Sequence, residues 1–116
     1  GWPIGIRPTV ADNGVHAAFV LGEEISDWHA IDRPGIAVSV AVNGETLTDG
    51  SGANALDDPV NALVWLANAA TARGQRLAAG AVITTGNTAN QAVFATPGDS
   101  AVARFSGLGE VRVDFA

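Results

Sequence analysis

The clearest pattern in the chain is an alternation of apolar and small or polar positions over residues 35–42. Ile36, Val38 and Val40 stand against Ala37, Ser39 and Ala41, the period-2 signature of a half-buried strand. Asn43-Gly44 follows directly. Both residues tolerate positive φ, so the pair predicts a two-residue hairpin turn with residues 45–48 returning antiparallel. Residues 49–52 (Asp-Gly-Ser-Gly) read as a flexible loop. The period then changes. Val60, Leu63, Val64 and Ala67 recur at helical spacing, behind an Asp58 able to cap and a Pro59 suited to the first helical position. Gly74 after Arg73 supplies a stop, so one principal helix is predicted from about Pro59 to about Arg73. Trp65 is expected in its core-facing surface, and Asp57 and Asp58 both read as capping it.

The remaining segments are shorter. Residues 81–85, β-branched and bounded by Gly80 and Gly86, read as a strand. Residues 87–91 are a polar loop, and Pro97-Gly98 turns the chain. Residues 100–105 and 110–115 predict a closing hairpin across Gly107-Leu108-Gly109, with Val111, Val113 and Phe115 on one face. Toward the start, residues 2–10 read as an extended segment broken by Pro3 and Pro8, and Asp12-Asn13-Gly14 is turn chemistry. Residues 15–21 suit helix and strand alike, and residues 23–34 form an irregular polar connection. Strands, one helix, then strands again predict an α+β, mostly β domain rather than a βαβ array.

At 116 residues the chain predicts a single domain, 1–116. The formal charge is -6, with no lysine and no cysteine. An acidic chain without clustered cations is poorly suited to nucleic acid or anionic membranes. The missing cysteines exclude disulfides and thiol chemistry. No apolar run is long enough for a membrane helix. Residues 1–6 lack the charged start and apolar core of a signal peptide, so a cytoplasmic location is the expectation.

Several segments, taken in order, carry a family resemblance: Val10-Ala11-Asp12-Asn13, Phe19-Val20-Leu21-Gly22, the run from Asp58 to Asn68, Leu77 to Gly86, Pro97-Gly98-Asp99-Ser100, and Phe105 to Val113. The set resembles the C-terminal part of the 2-keto-4-pentenoate hydratases, in the fumarylacetoacetate hydrolase superfamily. The resemblance implies a mixed β-sandwich or roll with a helix laid against it. It also implies divalent-metal chemistry, with Mg or Mn, on an enolisable 2-oxo acid of the 2-hydroxydienoate type. Family members are longer, and their metal carboxylates, beginning with a Glu-x-Glu pair, lie upstream of the matched region. This chain has no Glu-x-Glu, so no metal ligand is assigned to it. A homo-oligomer, or a partner chain carrying the N-terminal region, is therefore expected, with Trp2, Ile4, Ile6 and Phe19 as candidates for the joining surface.

The resemblance also nominates site residues. Asp12 and Asn13 match the segment that lines the family's substrate cavity; an ordinary Asx turn is the competing reading. Thr85 and Gly86 match the strand end beside the substrate, with Gly86 offering room for close approach. Hydroxyl residues often follow the family's Asn, whereas Gly14, Val15 and His16 stand here. His16 can accept or give a proton near neutral pH, against a plain reading as a surface histidine. The catalytic candidates are thus His16 and Asp12, and the substrate-binding candidates Asn13, Thr85 and Gly86. The acidic run Glu23, Glu24, Asp27, His29 and Asp32 matches no metal-ligand spacing and reads as a solvated loop. Trp2 and Trp28 are candidate interface anchors.

Three functions compete. One is a hydratase-like lyase, acting as one part of a split or oligomeric active site. The second is a non-catalytic binding or oligomerisation module derived from a hydratase. The third is a repurposed decarboxylase, isomerase or cyclase.

Overall fold

A computed structural model describes residues 6–11 and 16–116. The elements are α1 (Ile6–Ala11), β1 (Ala37–Val42), β2 (Glu45–Ser51), α2 (Pro59–Ala72), β3 (Ser100–Phe105) and β4 (Gly109–Asp114). Single 3-10 turns occur at Trp28–Ala30 and Gly52–Asn54. The strands form one antiparallel sheet in the order β2-β1-β3-β4.

Turn chemistry sets the register. Val42 pairs with Glu45 across Asn43 and Gly44, whose φ values are 51° and 85°. Positive φ at both central residues is the turn whose twist matches a hairpin. Asn43 does a second task. Its side chain donates to Asp99 Oδ1 at 2.7 Å and accepts from Ser100 N–H at 3.0 Å, tying this turn to the start of β3. Asp99 in turn accepts from Thr96 N–H (2.7 Å) and the Thr96 hydroxyl (2.9 Å). These bonds, the Thr96 amide foremost, hold its carboxyl below the ordinary value. A register shift between Val40 and Ala41 leaves Leu47 unopposed on β2. The β3–β4 hairpin closes through Ser106, Gly107 and Leu108, with Phe105 opposite Gly109.

β2 runs through Ser51, so residues 49–51 are strand rather than the expected loop. Gly50 and Ser51 pair with Val38 and Ala37, and the ladder overrides the flexible composition. The leading segment also differs: Ile6–Ala11 is helical, not extended. Pro8 lies in its first turn, where an amide would have no intrahelical partner to lose.

α2 begins and ends as its residues dictate. The Asp58 carboxylate accepts from Val60 N–H at 2.9 Å and receives the Arg33 guanidinium through Nε (3.2 Å) and Nη2 (3.3 Å). The Arg33 bond, then the Val60 amide, hold the Asp58 carboxyl below its ordinary value. Asp57 does not share the capping role. It stands in the left-handed region at φ 67° and leaves the cap to Asp58. At the other end Gln75 N–H donates to the Ala70 carbonyl (2.9 Å) and Gly74 N–H to the Thr71 carbonyl (3.0 Å), with Gly74 at φ 70°. That is a Schellman closure.

The buried side of α2 is rotated from the expected one. Ala70 is buried and Ala62, Leu66 and Ala69 are half-buried; of the expected face Val60 and Ala67 are half-buried, whereas Leu63 and Val64 are exposed. Trp65, expected in the core, is 67% exposed. Three alanines and Leu66 make the more buried side, and Val64 and Trp65 stand on the exposed one.

The core is small. Its buried apolar residues among those described are Val38, Ala41, Val42, Ala55 and Ala70, and no large side chain is fully buried. The radius of gyration is 15.5 Å, against about 13 Å for a compact chain of similar length. Residues 81–85 have no regular secondary structure and pair with no strand among those described, so the expected strand does not form. A strand needs a ladder partner, and among the described residues the bridge nearby joins Gly50 to Ala89. No helix among the described residues is long and apolar enough to cross a membrane.

Candidate functional site

His16 and the segment leading to Gly86, distant in sequence, come together. His16, Phe19, Val82 and Thr84 line one cavity of about 380 Å³. The His16 ring lies 6.4 Å from that of Phe19, tilted by 51°. Val82 and Thr84, two residues apart, share the cavity wall. Thr85, the hydroxyl singled out from sequence, is the next residue and half-buried. Sequence reasoning took Thr85 rather than its neighbour Thr84 from this strand end and passed over Val82; Thr84 and Val82 are the lining residues.

Gly86 has φ 124°, a conformation that L side chains rarely adopt. A Cβ there would meet only the Ala55 Cβ, at 3.8 Å. Backbone conformation, rather than crowding, is what calls for glycine. Asp12 and Asn13 lie outside the described residues, as do Trp2 and Ile4 and the side chain of Ile6.

A second, apolar cleft of about 500 Å³ opens beside the first, walled by Phe19, Val20, Ile25, Phe105, Leu108 and Val111. Phe19 borders both. Two carboxylates reach this cleft, Glu23 and Glu110. Glu110 is occupied by Arg104, at 2.9 Å. The acidic run from Glu23 to Asp32 is exposed at every titratable position, and the His29 ring stacks on Trp28 at 3.6 Å between centroids. Trp28 itself is 55% exposed.

The donor set decides whether a divalent cation fits the described residues. A hard cation asks for several oxygen ligands converging at short range. Among the described residues no group of three or more His, Asp or Glu side chains stands close enough to hold one. The described residues therefore do not fit a metal by themselves, and no chemical step is derived through one.

An antiparallel sheet of four strands, one principal helix and a small cavity at residues 82–84 define an α+β, mostly β domain. The family model for the fumarylacetoacetate (FAA) hydrolase C-terminal domain matches residues 3–116, and the chain belongs to that family. It is 40% identical to a 2-keto-4-pentenoate hydratase from Burkholderia vietnamiensis, over 98% of this chain and 43% of that protein. It is 34% identical to a 2-hydroxyhexa-2,4-dienoate hydratase from Comamonas testosteroni, over 98% of this chain and 43% of the relative. The solved structure of a 4-oxalocrotonate decarboxylase from Pseudomonas putida G7, complexed with magnesium and adipate, superposes with a TM-score of 0.84. That match has 34% identity and covers 93% of this chain and 41% of the decarboxylase. The chain thus spans less than half the length of the relatives it matches.

Proposed function

We infer that the chain is the C-terminal part of a hydratase-like lyase for an enolisable 2-oxo acid of the 2-hydroxydienoate type. The observation that carries this reading is the likeness to hydratases along 98% of the chain. The cavity that joins His16 to Thr84 supports it. Hydration of such a substrate adds water across a conjugated double bond and moves a proton between the enol oxygen and carbon. His16 is the group at the cavity able to exchange that proton. Asp12 is its proposed companion. Asn13 and Thr85 would supply neutral hydrogen bonds to the acid, and Gly86 lets the chain turn away beside them. The divalent metal of the family, Mg or Mn, would polarise the 2-oxo group by Lewis acidity. Its ligands belong to a region or partner chain beyond these residues.

The assembly is part of the proposal. Phe19, Leu21, Val64, Trp65 and Phe94 are exposed apolar side chains, the kind of surface that an interface covers where such residues are contiguous. A homo-oligomer, or a partner carrying the region that the longer relatives possess, would cover it. The test compares His16→Ala with Asp27→Ala in that assembly, following loss of dienol absorbance on 2-hydroxydienoates. His16→Ala is expected to lower turnover at least about 100-fold, the scale of a lost general acid–base, while Asp27→Ala leaves it unchanged. Equal rates in the two variants would remove His16 from the mechanism.

A second reading is a binding or oligomerisation module without chemistry of its own. The lack of a metal-capable donor cluster among the described residues favours it. It predicts 2-oxo acid binding with no turnover even when the complementary region is supplied.

A further inference from the structure

Residues 84–90 have one ladder contact, the bridge between Gly50 and Ala89, yet side-chain amides fasten them to β2. Asn54 Nδ2 donates to the Thr88 carbonyl at 3.0 Å and to Asn90 Oδ1 at 2.9 Å. A primary amide has two N–H groups, and both are used. Asn90 Nδ2 donates to Asp49 Oδ1 at 2.9 Å, while its backbone N–H donates to the Asp49 carbonyl at 2.8 Å. Asn87 Oδ1 accepts from Ala89 N–H at 3.0 Å, closing a local turn.

The direction of this relay is forced. An ionised Asp49 only accepts, so Asn90 must turn its NH₂ toward it. The Asn90 oxygen then faces Asn54, which must donate. Gly50 makes the approach possible. A Cβ there would overlap the Thr88 carbonyl oxygen and stand 2.9 Å from Ala89 Cα and 3.0 Å from Asn54 Nδ2.

We propose that the Asn54–Asn90–Asp49 relay fixes the conformation of residues 84–90, and that Asn54 and Asn90 are positioning residues for Thr84, Thr85 and Gly86. Neither amide needs to touch the ligand. Gly86 is the pivot: at φ 124° it joins the fastened residues 87–90 to Thr85 and, one residue further, to Thr84 at the cavity. No strand among the described residues pairs with residues 81–85, and the relay is a restraint on where the Thr84 hydroxyl stands. The positioning role rests on the 2-oxo acid reading of the cavity; the conformational role does not.

The test uses the full chain, ¹⁵N-labelled, and the near-isosteric variant Asn54→Asp, which turns a carboxylate toward the Thr88 carbonyl and Asn90 Oδ1. Amide exchange across residues 86–90 is expected to quicken about tenfold, the scale of losing a hydrogen bond or two. Amides of β1 and β3 should keep their wild-type rates. Titration with 2-oxopentanoate should shift His16 and Thr84 resonances in the wild type, with an affinity about fivefold weaker in Asn54→Asp. Asn90→Asp, which sets a carboxylate against Asp49, should reproduce both effects and serves if Asn54→Asp does not fold. Unchanged exchange across residues 86–90 overturns the relay. Faster exchange with unchanged affinity overturns the positioning role. A wild type that does not bind 2-oxopentanoate overturns the positioning role in this chain, while exchange still decides the relay and turnover of the His16 variants in the assembly decides the functional reading.

Discussion

Gly52→Ala tests how closely residues 33–36 are laid against the end of β2. Gly52 is buried. A Cβ there would overlap the Arg33 carbonyl oxygen and stand 2.9 Å from the Arg33 carbonyl carbon and 3.4 Å from Pro34 Cα. These are backbone atoms, so no side chain can swing aside. Relief requires the two segments to part, at the expense of Gly52 N–H to the Ile36 carbonyl (2.9 Å) and Ala53 N–H to the Pro34 carbonyl (3.0 Å). Two such bonds are worth about 2–3 kcal/mol at about 1–1.5 each. Gly52 is absent from the positive-φ glycines, so alanine gains back about 0.4–1 kcal/mol through the stiffer unfolded chain. The net loss is about 2 kcal/mol, which lowers the melting temperature by roughly 8 °C for a domain of this size. Thermal and urea unfolding followed by circular dichroism measure it. Gly22→Ala is the control, because its Cβ would meet only a Val111 methyl, at 3.1 Å, and should cost little. A Gly52→Ala protein melting with the wild type would refute the close contact and the reasoning built on it.

Three further outcomes are expected. Asp58 and Asp99 have carboxyls held below their ordinary values by Arg33 with Val60 and by Thr96 with Asn43. Their contribution is complete above the unfolded carboxylate value of about 3.9 and is lost as pH falls through the lower folded values. Melting temperature should therefore drop on acidification below that point, and less steeply in Asp99→Asn; parallel acid profiles would contradict this. Calorimetry with Mg²⁺ or Mn²⁺ should show weak binding or none to this chain alone, because no donor cluster is present among the described residues; tight stoichiometric uptake would send attention to Asp12 and His16. Light scattering should report an assembly larger than the single chain, and a well-behaved monomer at working concentration would show that the exposed apolar surface needs no cover.

What could be read from the sequence was what its neighbours along the chain decide. Asn43-Gly44 sets a hairpin because both residues accept positive φ, and the observed φ values of 51° and 85° are that turn. Asp58, Pro59 and Gly74 bound α2 for equally local reasons, and the observed helix, Pro59–Ala72, ends within a residue of expectation. The buried side of α2 was not legible, because it is chosen by what lies opposite. Val60, Leu63, Val64 and Ala67 are as periodic as the alanine side, and periodicity alone cannot rank them. Likewise Asp49-Gly50-Ser51 has loop composition, and only pairing with β1 makes it strand.

Residues 81–85 show the same limit from the opposite side. Val82, Ile83, Thr84 and Thr85 have strand composition, yet composition cannot supply a partner for the backbone amides. The described residues offer none before the Gly50–Ala89 bridge. The site inherits that incompleteness. His16 and Thr84 reach one cavity, but Phe19 and Val82 beside them are still 47% and 58% exposed. A lyase site must exclude water except for the molecule it adds, and half-exposed walls do not do so. On the proposed lyase reading, the cavity would become a reaction vessel only when another surface closes it. The proposed Asn54–Asn90–Asp49 relay would let the Thr84 wall be held in place from within this chain, before any covering surface arrives.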